Sequence, residues 1–169
     1  ALSTLIANFW LMFFQGYSIW TMGGVVIGYV GFNALLFPFL RGFSRIETRL
    51  RPFLLAGAWA AYEYFKSIGF LGYPWGLVAY PLGDILPLVQ FADITGVWGL
   101  SFLAALVNSL IAEAALLLSG PARAWKQARA QLGRQAAFAG VLVVSCLCYG
   151  FIRLAMPRPS EGIARLLLV

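Results

Sequence analysis

Histidine is absent from this chain of 169 residues, and cysteine occurs only twice. Without an imidazole there is no Ser-His-Asp arrangement and no His/Cys set with zinc-ligand spacing. No glycine-rich phosphate loop stands in for them, so no cofactor and no metal are expected. Cys146 and Cys148 are two residues apart, which in a helix turns them to roughly opposite sides. They cannot bridge each other and read as small apolar residues. Charge is scarce as well: 11% of residues carry one, and only six are acidic. That excludes the solvated surface of an ordinary soluble domain, where about 25% are charged.

Apolar residues fill the gap, at 62% of the chain. Three runs carry no charge at all: Ile19 to Leu40, Thr95 to Ala112 and Gln135 to Ile152. About 20 apolar residues in a helix cross the hydrocarbon core of a bilayer. The net charge of +6 does not point to nucleic acid. The basic residues fall in short segments between apolar runs, where positive charge sets membrane topology. Arg41, Arg45, Arg49 and Arg51 form one such segment, against the single acid Glu47. Arg123, Lys126, Arg129 and Arg134 form the other.

The chain is therefore expected to be all-α, a polytopic transmembrane bundle with about four complete spans and a partial N-terminal one. The expected helices cover 19–40, 52–67, 95–118 and 135–154, with a short interfacial helix or turn over 85–94. Residues 1–156 form the membrane domain. Pro157 and Pro159 end it, and 163–169 (IARLLLV) read as the first strand of a further domain. The chain opens and closes within apolar segments and reads as a piece of a longer protein. The two basic loops, 41–51 and 121–134, are expected in the cytoplasm. Loop 68–84 and the C-terminal tail then face the other side.

Within lipid, each polar residue in a span raises a question of function. Glu63 and Lys66 lie one turn apart at the end of the second helix. They suit a local ion pair whose lysine reaches back to the interface; equally, Glu63 suits a buried clamp on the loop that follows. Asp93 reads as a helix cap or first-turn acid. Asn108 suits a bridge between two helices, and Glu113 belongs near the second basic loop. The loop Gly72-Tyr73-Pro74-Trp75, followed by Tyr80, is rich in glycine, proline and aromatics yet almost uncharged. Its rings suit either an aromatic belt or a mouth that guides acyl chains.

In order and approximate spacing, Glu63-Tyr-Phe-Lys66, Gly72-Tyr73-Pro74-Trp75, Tyr80 and Asp93-Ile-Thr-Gly96-Val-Trp-Gly99-Leu-Ser-Phe102 resemble the membrane domain of the apolipoprotein N-acyltransferases. Lys66 stands where arginine is more usual. Asn108 falls where a polar residue is common, and the tail resembles the first strand of the family's nitrilase-like domain. The resemblance implies transfer of an acyl chain from phospholipid to the N-terminal cysteine of a diacylated lipoprotein, in a bacterial inner membrane. It implies a monomer and a Glu-Lys-Cys triad in the external domain, outside this chain, which alone would be inactive. It also implies that Gly72, Tyr73, Pro74, Trp75 and Tyr80 face lipid and substrate, with Glu63, Lys66, Asp93 and Asn108 as polar support. Read without it, the residues also suit a transporter or channel fragment, or a non-catalytic anchor of an external domain.

Overall fold

A computed structural model describes residues 6, 13, 19–46, 48–68, 72 and 74–156. The expected partial span at the N-terminus lies outside these residues apart from positions 6 and 13. Tyr73 and the strand-like tail 163–169 lie wholly outside them.

Every element among the described residues is helical. Helix α1 is Ile19–Ser44 and α2 is Arg51–Ser67. A 3-10 turn, Tyr80–Asp84, and a single helical turn α3, Leu86–Val89, lead into α4, Ala92–Ser119. Helix α5 is Ala122–Ala155. Three of them, α1, α4 and α5, are long and apolar enough to cross a membrane. The protein is a polytopic, all-α membrane fold. Helix α2 is shorter, at 17 residues. It reaches about 26 Å at 1.5 Å per residue, just short of the ~30 Å core.

Local sequence explains the boundaries. Pro52 sits in the first turn of α2, where its missing N–H costs nothing. Gly96 interrupts the start of α4 with φ 65°, a left-handed conformation natural to glycine. Gly99 lies against the Thr95 side chain, leaving no room for a Cβ. One expectation is corrected. The basic residues 122–134 are not a loop but the first turns of α5, which runs for 34 residues. Pro121 supplies an extended N-cap, and Ala, Lys, Arg and Gln favour helix as strongly as any apolar run.

Helix α2 packs chiefly on α4, with α1 on its other flank, while α5 leans on α3 and α4. Small residues allow the close approach. Ala56, Ala105 and Ala139 meet Leu106 and Leu110 in one core; Ala79, Leu88, Leu100, Leu103 and Cys146 form a second beneath the 3-10 turn. A Cβ at Gly150 would overlap the Pro87 carbonyl, so α5 touches α3 backbone to backbone. The outer surface is apolar, including Trp20, Ile27, Leu35, Leu116 and Val141. Such a surface belongs in lipid.

Polar contacts fasten the two ends of the bundle. At the arginine-rich end, Arg51 pairs with Glu113 of α4. Gln135 Nε2 of α5 donates to the Arg49 carbonyl at 2.5 Å. At the other end, Arg153 of α5 holds Asp93 of α4 at 3.0 Å.

Candidate functional site

Four polar side chains are buried among the described residues: Glu63, Lys66, Ser101 and Gln135. The first three converge where α2 meets the loop before the 3-10 turn. Glu63 is 1% exposed. Its Oε1 accepts from Trp59 Nε1 at 3.1 Å and from the Val78 backbone N–H at 2.8 Å. Its Oε2 accepts from Ser101 Oγ at 2.5 Å. Three donors satisfy a carboxylate that would otherwise be costly to bury. They come from α2 itself, from the loop and from α4, so this one side chain joins three segments.

Lys66 is turned inward as well, at 3% exposure. Its ammonium donates to the Trp75 carbonyl at 3.4 Å. It lies 5.4 Å from the centroid of the Tyr29 ring and 5.7 Å from that of Tyr62, within cation–π range. Tyr29 of α1 donates to the same Trp75 carbonyl at 3.2 Å. The expectation of a lysine reaching back to the interface is thus corrected. Among the described residues the ion pairs are Arg51–Glu113 and Arg153–Asp93, and Glu63 and Lys66 do not form one. The physical reason is local: the loop folds back over the end of α2 and offers each of them a backbone partner. A nearby Val78 N–H and Trp75 carbonyl satisfy both inside the protein.

The loop backbone is held at Trp75 and Val78. Leu77 and Ala79 are buried beneath it, at 3% and 2% exposure. Trp75 and Tyr80 are half exposed. Gly76 makes the turn between anchor and ring with φ 69°. Tyr80 OH donates to the Pro74 carbonyl at 2.5 Å, which fixes the ring across the turn. Gly72 is partly buried and Pro74 exposed. With both oxygens of Glu63 engaged by three donors, the cluster ties the loop to α2 and α4. It can position a surface and hold it still.

The remaining expected residues lie apart from this cluster. Asp93 is a first-turn acid of α4 and engages Arg153, 60 residues away. Asn108 does not bridge helices among the described residues. It is exposed and lines a cavity of about 410 Å³ with Pro81, Leu82, Leu88, Leu103 and Val143. Among the described residues Glu113 pairs with Arg51, from the first basic segment, and not with the second. Trp59 and Tyr29 belong to no motif read in the sequence, although Trp59 lies one turn before Glu63, whereas Ser101 falls within the Asp93 to Phe102 run that resembles the family.

A family profile for the apolipoprotein N-acyltransferase N-terminal domain matches residues 1–110. The chain belongs to the apolipoprotein N-acyltransferase family. It is similar to apolipoprotein N-acyltransferase 2 of Treponema denticola, with 36% identity over 155 residues, 90% of this chain and 29% of the relative. Against apolipoprotein N-acyltransferase 2 of Treponema pallidum the identity is 37% over 170 residues, 97% of this chain and 29% of the relative. The apolipoprotein N-acyltransferase of Borreliella burgdorferi is 39% identical over 108 residues, 64% of this chain and 20% of that protein. The chain thus spans about three tenths of the length of the first two relatives. No solved structure matches it. The matched region 1–110 holds Glu63, Lys66, Trp75, Val78 and Ser101. In this family's N-terminal domain, then, residues far apart in sequence meet at one buried carboxylate.

Proposed function

We propose that this chain is the membrane scaffold of an enzyme that moves an acyl chain from a phospholipid to the N-terminal cysteine of a diacylated lipoprotein. The observation that carries the reading is the loop clamped by Glu63 and Lys66. It fixes the backbone at Trp75 and Val78 while directing the rings of Trp75 and Tyr80 outward. Rigid aromatics beside apolar spans suit the guidance of acyl chains, because a held surface lowers the cost of orienting a flexible substrate. Gly72, Tyr73 and Pro74 belong to the same edge, with Asp93 and Asn108 as outlying support.

The chemistry in this reading belongs to a Glu-Lys-Cys triad in a nitrilase-like domain that follows residue 157. The cysteine thiolate attacks the ester carbonyl of the phospholipid, giving a thioester and releasing a lysophospholipid. The α-amine of the lipoprotein then attacks the thioester, forming the amide and freeing the thiolate. The enzyme works as a monomer in the bacterial inner membrane. The arginine-rich end faces the cytoplasm, and loop 68–84 with the C-terminal tail faces the periplasm.

Full-length protein incubated with phospholipid and a diacylated lipopeptide should yield triacylated product and lysophospholipid, while residues 1–169 alone should yield neither. Product from 1–169 above a no-protein control contradicts this placement of the chemistry, and no product from the full-length protein contradicts the activity.

A further inference from the structure

At the arginine-rich end, far from the clamped loop, a groove of about 310 Å³ opens between the start of α2 and the third to fifth turns of α5. Leu50, Phe53 and Phe138 make its apolar walls. Phe53 and Phe138 meet edge to face at 5.5 Å. Gln135, buried, ties α5 to the Arg49 carbonyl and fixes the width. Arg49 and Arg134, both exposed, stand at its rim. Their neighbour Arg51 is taken by Glu113, but among the described residues neither Arg49 nor Arg134 is in an ion pair.

We propose that this groove binds an anionic two-chain phospholipid. Its phosphate lies between the Arg49 and Arg134 guanidiniums, and the first carbons of its chains lie against Leu50, Phe53 and Phe138. Charge complementarity commits the site to an anion, since guanidinium presents paired donors that match phosphate oxygens. The walls commit it to a lipid and not to free phosphate. They are aromatic and aliphatic, and they continue into the lipid-facing surface of α5 through Phe138 and Val141, both mostly exposed. Its depth fits as well. The groove sits where apolar helices give way to arginines, which is the level of the headgroups, and basic pockets between spans at that level select anionic lipids. The lipid is a structural ligand here, joining the start of α2 to α5 beside the Phe53–Phe138 ring pair and the Gln135 hydrogen bond to Arg49.

The test compares lipid binding to full-length protein in a neutral detergent by native mass spectrometry, titrating phosphatidylglycerol, phosphatidylcholine and inorganic phosphate. Phosphatidylglycerol should bind in preference to phosphatidylcholine, and phosphate should not compete. Arg49→Gln with Arg134→Gln should weaken phosphatidylglycerol about 30-fold, the effect of two cations at the headgroup level. Arg41→Gln with Arg129→Gln removes the same charge from the same end outside the groove and should change it less than about 3-fold, the residual long-range attraction left after salt screening. Thermal stability without added lipid is read for each, and Arg134→Gln alone serves if the first double variant does not fold. Equal loss in the two double variants, no preference between the lipids, or full competition by phosphate overturns the proposal.

Discussion

Replacing Glu63 by alanine removes the acceptor of three hydrogen bonds at once. Ser101 Oγ can rotate to another acceptor, but Trp59 Nε1 and the Val78 N–H point into the vacated space. A buried donor left unpaired costs about 1–3 kcal/mol, so two cost about 2–6 kcal/mol. The burial cost of the carboxylate disappears with it, which places the net loss at about 2–4 kcal/mol. Glu63→Gln is different. Its amide oxygen still accepts from Trp59 and Val78, and its amide nitrogen donates to Ser101, whose hydroxyl also accepts. Only the charge assistance goes, at about 1 kcal/mol. The assay is thermal unfolding in detergent, with limited proteolysis of loop 68–84 under native conditions. Alanine should lower stability at least twice as much as glutamine and open the loop to cleavage. A double-mutant cycle with Ser101→Ala should give a coupling of about 1–3 kcal/mol. Equal stability for the alanine and glutamine variants, with the loop uncut in both, would refute the clamp.

Other consequences follow from the same contacts. Lys66→Met keeps the stem but loses the donor to Trp75, and should destabilise by about 1–2 kcal/mol in the same unfolding assay while making the loop more sensitive to protease. Gly96→Ala places a Cβ on a backbone at φ 65° and should cost about 1–2 kcal/mol, whereas Gly28→Ala, with nothing within 4 Å of its Cβ, should stabilise slightly or change nothing. Gly150→Ala forces α5 from Pro87 and should cost about 1–3 kcal/mol, read as a lower unfolding midpoint. Single cysteines at Ser44 and Gly76, in a background without Cys146 and Cys148, should be labelled by an impermeant thiol reagent in intact spheroplasts at position 76 and not at 44.

The long-range geometry was least legible in the sequence. The apolar runs revealed α1 and α4 because a membrane imposes a simple rule on length and composition. The same rule misplaces the start of α5, because charge ends an apolar run without ending the helix, and Ala122 to Arg134 propagate it. Glu63 and Lys66 stood out as polar residues in an apolar run, yet their partners did not. Ser101 is 38 residues from Glu63, and Trp75 offers Lys66 a backbone carbonyl, which no side-chain pattern announces. Asp93 was readable as a first-turn acid, but Arg153, 60 residues on, was not readable as its partner. The glycines at 96 and 99 resembled a family signature before their reason was visible. One turns the backbone, and the other makes room for Thr95.

The central claim is that the clamped loop positions lipid for acyl transfer, and Trp75→Ala tests it most directly. The comparison is Trp20→Ala, an exposed tryptophan at the start of α1 and so at the same end of the bundle as the loop. Triacylated product per folded molecule is measured for both in the full-length enzyme, with thermal stability alongside. The account predicts that Trp75→Ala lowers turnover about 10-fold or more, the scale of a mispositioned substrate, while Trp20→Ala leaves it unchanged. Equal turnover in the two variants at equal folded fraction would contradict it and leave Trp75 as one more aromatic at the membrane interface.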